Sequence, residues 1–137
     1  MLRLKNKFTL ASGTTAVALI ALMPFLSVAQ APTQDWKAMN KEALALYQKG
    51  DTKAALAMGE KTVAAAAQAL GPDHPALATV ITNVAKMLEG TGQYADAEAL
   101  YRRALAIREK FYGPDHLDVA SSLNDVGVAL RQEKQYA

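Results

Sequence analysis

Two histidines are the first residues to test for chemistry. His74 and His116 are the only ones in the chain; each ends a Gly-Pro-Asp-His run, and the two runs lie 42 residues apart. Such a pair invites a metal site, but the spacing argues against one. Equivalent positions in neighbouring repeats stand about one helix-packing distance apart, ~10 Å, whereas two ligands of one zinc ion each lie ~2.0–2.1 Å from it. Both histidines are therefore expected to be turn residues. Ser121 and Ser122 open a helix without a nucleophile motif around them. The acidic residues form no facing pair beside a nucleophile, and no phosphate loop, dinucleotide fingerprint or zinc spacing is present. The 137 residues include no cysteine, which excludes disulfides, thiolate ligands and cysteine nucleophiles. The sequence predicts no enzymatic activity, no metal and no cofactor. Arg102, Arg103, Arg108 and Lys110 cluster, but Asp96, Glu98 and Glu109 interleave with them, so a solvated outer helix face is expected.

The elements that carry these residues repeat. Besides the Gly-Pro-Asp-His run, Gly92-Gln93-Tyr94-Ala95 returns 42 residues later as Lys134-Gln135-Tyr136-Ala137, and Gly50-Asp51-Thr52-Lys53 precedes it by the same offset. A fixed period of this size marks a stacked repeat architecture. Each period holds two helices. Leu77, Ile81, Val84, Ala85 and Leu88 form one helical stripe; Tyr94, Ala97, Leu100, Tyr101 and Ala104 form the next. Gly71 and Gly113 suit left-handed helix ends, Pro72 and Pro114 block continuation, and Asp73 and Asp115 can cap the helices that follow. Small residues at Ala43, Ala85 and Gly127, opposed by Ala55 and Ala97, let paired helices approach closely. Helices are expected near 35–49, 52–70, 74–90, 93–112 and 116–133. The fold class is all-α, antiparallel helix pairs stacked as a short α-solenoid.

The combination of Gly92, Tyr94, Ala97, Tyr101, Ala104, the Gly113-Pro114-Asp115-His116 turn and Leu123-Asn124 resembles the longer tetratricopeptide repeat (TPR) of the kinesin light chain type. The resemblance covers about residues 35–137 and implies a right-handed TPR-like solenoid. The first repeat departs from the pattern: Thr52, Gly59 and Thr62 replace Tyr94, Tyr101 and Ala104, and Glu42 replaces Val84. The second repeat is complete. The third has one helix and only Gln135-Tyr136-Ala137 of another, so Leu123, Val126 and Leu130 are expected to lack a covering helix.

The resemblance also implies that the first helix of each repeat lines a concave groove. Carried onto this chain, that gives Lys37, Asn40, Lys41, Leu44 and Tyr47 from the first repeat; Thr79, Thr82, Asn83, Lys86 and Glu89 from the second; Ser121, Asn124, Asp125, Val128 and Arg131 from the third. The candidate binding set is Asn40, Lys41, Tyr47, Thr82, Asn83, Lys86, Asn124 and Arg131. Asparagine amides can bond an extended peptide backbone, and the cations can hold acidic groups. These positions do not reproduce the carboxylate clamp of chaperone-binding family members. The alternative reading of the same residues is a set of merely solvated helix positions.

The amino terminus reads differently. Arg3, Lys5 and Lys7 precede an apolar stretch densest over Ala16–Leu26, and Ser27-Val28-Ala29 supplies small residues before Gln30. Basic, apolar, small is the order of a secretory signal peptide over 1–29; an uncleaved anchor is the alternative. Residues 30–34 form a polar connector and 35–137 the repeats. The full chain carries net charge +2. The three basic residues of 1–29 account for that excess, so the remainder is near neutral and nucleic-acid binding is not expected. The sequence thus predicts an exported, periplasmic or secreted scaffold for a protein or peptide partner. Membrane contact follows only if segment 1–29 is retained, and the unfinished third repeat could support a homo-oligomer. The alternative is the amino-terminal fragment of a longer repeat protein, with a structural or self-assembly role.

Overall fold

The computed structural model describes residues 34–136, as five helices with no strand among them. These are α1 (Trp36–Gln48), α2 (Thr52–Leu70), α3 (Pro75–Gly90), α4 (Tyr94–Tyr112) and α5 (Leu117–Tyr136). The expected export segment 1–29 and nearly all of connector 30–34 lie outside the described residues. Each helix packs on its neighbours in sequence, and α1 also touches α3. This is the expected all-α stack of helix pairs. No described helix is long and apolar enough to cross a membrane.

Chain punctuation sets these helices in place. Asp35 accepts from the N–H groups of Lys37 and Ala38 at 3.1 and 3.2 Å, and Asp51 from that of Ala54 at 3.2 Å. Each such cap is worth about 1 kcal/mol. At α3 and α5 the structure corrects the expected cap. His74 Nδ1 accepts from the Ala76 N–H, and His116 Nδ1 from the Asp118 N–H, both at 3.1 Å. Asp73, one residue too early to reach the free N–H groups, pairs instead with Lys110 on α4.

Gly50 and Gly92 end α1 and α3 with φ of +85° and +80°. Lys134 occupies the same place in the repeat, where a left-handed backbone costs a side-chain-bearing residue about 1–2 kcal/mol. α5 accordingly runs past the expected end at 133, and Gln135 and Tyr136 extend it instead of opening another helix. The Tyr136 ring stacks on Tyr94, its counterpart one repeat earlier, with centroids 5.4 Å apart.

The core follows the small residues. Ala43 and Ala55 meet beside Met87; Ala85 and Ala97 meet beside Tyr101, Val126 and Ala129. Nearer the start of α3, Leu77, Ala78, Val80 and Ile81 pack with Ala66, Ala104 and Ile107. The departures of the first repeat have packing reasons. A Cβ at Gly59 would come within 2.8 Å of Val84 Cγ2, so α2 approaches α3 too closely for a side chain as large as Tyr101. Buried Thr62 satisfies its hydroxyl by donating to the Met58 carbonyl at 2.7 Å. Of the three residues expected to lack cover, Leu123 is exposed and Leu130 half-buried. Val126 differs: it points back onto Ala85 and Tyr101 and is buried.

Candidate functional site

The first helices of the second and third repeats, α3 and α5, stand apart and leave a trough between them. Thr79, Thr82, Asn83 and Lys86 of α3 face Asp118, Ser121 and Asp125 of α5 across a cavity of about 200 Å³. Toward the turns it adjoins a second cavity of about 350 Å³, lined by His74, Pro75, Ala76 and Tyr112. Thr79, Arg108 and Asp118 belong to both, so the two form one continuous trough.

Arg108 is the residue that sequence reasoning misplaced. It was expected on the solvated outer face of α4, yet it is half-buried and reaches into the trough. Its guanidinium donates to Ser122 Oγ at 2.6 Å, and that hydroxyl donates in turn to the Asp118 carbonyl at 2.9 Å. The signal was available in the repeat: Arg108 stands one period after Ala66, which is fully buried. At an inward position a long stem runs along the apolar surface and delivers the charge at its edge. Arg102 and Lys110 do lie on an exposed face, paired with Glu98 and Asp73.

The candidate set divides. Thr82, Asn83 and Lys86 line the trough together, though buried Thr82 spends its hydroxyl on the Ala78 carbonyl at 2.9 Å. Asn83 Nδ2 donates to Asn40 Oδ1 at 3.2 Å, which links the first helices of repeats one and two. That bond uses only one of the polar groups each amide carries. Tyr47 packs beside Ala43, Ala55 and Met87, with its hydroxyl over Gly90, where a Cβ would lie 2.1 Å from it. Lys41, Asn124 and Arg131 are exposed and lie outside the trough cavities. Glu89 accepts a 2.7 Å hydrogen bond from the hydroxyl of Tyr101.

A larger cavity, about 460 Å³, opens on α2, α3 and α4. Val63, Val84, Leu88 and Leu100 give it apolar walls, and Glu60, Asp96 and Arg103 supply charge. Among the described residues no group of three or more His, Asp or Glu is arranged to hold a metal.

The family comparisons agree with this architecture. A tetratricopeptide repeat model matches residues 37–110 and again 81–137. No curated protein matches the chain. Among solved structures, BtubC (BKLC) from P. vanneervenii superposes with a TM-score of 0.66 at 21% identity, over 72% of this chain and 39% of that one. The kinesin light chain nearly identical TPR-like repeats of Podosopora anserina give a TM-score of 0.68 at 21% identity, over 89% of this chain and 59% of that one. The chain thus spans less than two thirds of the length of either structure. With most of its length matched by the repeat model, and with its helix pairs in register, the chain belongs to the tetratricopeptide repeat family.

Proposed function

We propose that the chain is an exported, non-enzymatic interaction scaffold whose trough between α3 and α5 receives an extended segment of a partner protein. The observation that carries this is the trough itself. Lys86 and Arg108 present positive charge from two helices, while Asn83 and Ser121 offer neutral hydrogen-bonding groups between them. Cations on two sides suit acidic side chains of a bound segment, and amides and hydroxyls suit its backbone. Asp118 and Asp125 on the α5 wall add selectivity, since they oppose a uniformly acidic ligand.

Affinity capture on the tagged 137-residue chain, incubated with the exported protein fraction, tests this reading. Changing Lys86→Glu together with Arg108→Gln is expected to cut recovery of a specific partner by about tenfold or more, given what charge-assisted pairs contribute. Lys41→Glu and Arg131→Glu, outside the trough cavities, are expected to change recovery less. Equal recovery by all variants overturns the trough as the binding site. A second reading, in which the repeats only build an assembly, draws on the uncovered face of α5 and predicts that same equality.

Export is a separate expectation. Amino-terminal sequencing of the protein taken from outside the cytoplasm is expected to begin at Gln30. A chain still starting at Met1 in the membrane fraction would establish the retained-anchor alternative instead.

A further inference from the structure

Four charged side chains line the trough between α3 and α5: Lys86 from α3, Arg108 from α4, and Asp118 and Asp125 from α5. The repeat does not dictate them. One period earlier the same positions hold Leu44, Ala66, Ala76 and Asn83, none of them charged. Nor do the four neutralise one another by contact. Among the described residues no ion pair joins any two of them, and only Asp118 has an ion-pair contact, with His116 at 3.7 Å.

Their order along the trough follows from helix geometry. Asp118 lines the turnward cavity with Pro75 and Ala76, whereas Asp125 and Lys86 line only the other cavity. α3 and α5 therefore run in the same direction, with equivalent positions of the two repeats side by side. Asp118 stands level with Ala76, Asp125 with Asn83, and the Arg108 guanidinium, bonded to Ser122, with Val80. From Asp118 through Arg108 and Asp125 to Lys86 the charges read minus, plus, minus, plus over ~15 Å, at ~1.5 Å per residue. The four sum to zero, so a ligand's charge order matters more than its total charge. A uniformly acidic segment meets both aspartates, and a segment with its charges in two blocks sets half of them against like charges. An extended chain crosses ~15 Å in about five residues, at ~3.3 Å each. We infer that the trough selects an extended partner segment whose basic and acidic side chains alternate over about five residues. This selectivity rests on the trough being the binding site.

Titrating the full 137-residue chain with three capped hexapeptides tests it, at low salt, where exposed charges are least screened. One alternates lysine and glutamate, one has three lysines followed by three glutamates, and one is all glutamate. The first two share composition and net charge, and any contact with segment 1–29 is common to all variants. The alternating peptide is expected to bind about tenfold more tightly than the block peptide, or better. Asp125→Lys breaks the alternation. It is expected to cost the alternating peptide about tenfold and to improve binding of the all-glutamate one, with helical circular dichroism confirming that the variant folds. Failure of the alternating peptide to bind overturns the inference, as does equal binding of the alternating and block peptides or an Asp125→Lys chain that holds the alternating peptide as tightly. If charge order alone is wrong, the all-glutamate peptide still binds and loses affinity in the Lys86→Glu, Arg108→Gln double variant. If the trough is not the site, that double variant holds every peptide as the unchanged chain does.

Discussion

Tyr101→Ala is expected to destabilise the repeats by about 3–5 kcal/mol, a large share of the 5–15 kcal/mol that holds a typical domain together. Tyr101 is 2% exposed and is the largest fully buried side chain in the described residues. Its ring fills the space framed by Ala85, Ala97, Val126 and Ala129, so its removal leaves a cavity where the second repeat meets the third. Tyr101→Phe keeps the ring but leaves the Glu89 carboxylate without its 2.7 Å donor. Glu89 is half-buried and reaches water, so the cost is expected to be smaller, about 1–2 kcal/mol.

The hydroxyl adds a pH signature that separates the two variants. Burial pushes the pKa of the Tyr101 hydroxyl well above its ordinary value of 10.0, and the hydrogen bond to Glu89 and the nearby charges of Glu89 and Asp125 push the same way. A group whose folded pKa is raised binds its proton more tightly in the folded state. Its contribution is complete below the unfolded pKa of about 10 and is lost as pH rises beyond it. Urea midpoints measured at about pH 8 and about pH 11 are therefore expected to fall more for the unchanged chain than for Tyr101→Phe. Equal losses would show that the buried hydroxyl is not what alkali attacks.

Ile81→Ala and Leu123→Ala form the second pair, with opposite outcomes from one register position. Ile81 is fully buried beside Leu77, Ala104 and Ile107, and its truncation is expected to cost about 2–5 kcal/mol. Leu123, one period later, is 52% exposed; its truncation is expected to change folding stability by only about 0.5 kcal/mol. Chemical denaturation at dilute concentration, where association makes no contribution, measures both. A Leu123→Ala loss as large as that of Ile81→Ala would mean that α5 is covered in the folded chain.

The groove was legible only as a helix choice. Taking the first helix of each repeat pointed to Thr82, Asn83 and Lys86, which do line one trough, and to Asn40, which bonds to Asn83. It could not place Arg108, because a charged residue among other charges reads as surface until its inward register, shared with buried Ala66, is considered. Nor could it show that Tyr47 packs on Gly90, a contact between residues 43 apart in sequence.

The sequence by itself determined the helices, their order and their pairing. Caps, left-handed glycines and small residues at a 42-residue period act locally, and a local signal needs no folded context to be read. The end of α5 was the exception: expected at 133, it lies at Tyr136, with Lys134 at the place that Gly50 and Gly92 hold in the repeats before it. The tertiary structure alone decided what each repeated position faces. Ile81 and Leu123 share one place in the repeat, yet one is core and the other surface, because burial depends on the neighbouring helix rather than on the residue. The same reason sends Arg108 into the trough and leaves on α5 an apolar face that no other described helix covers.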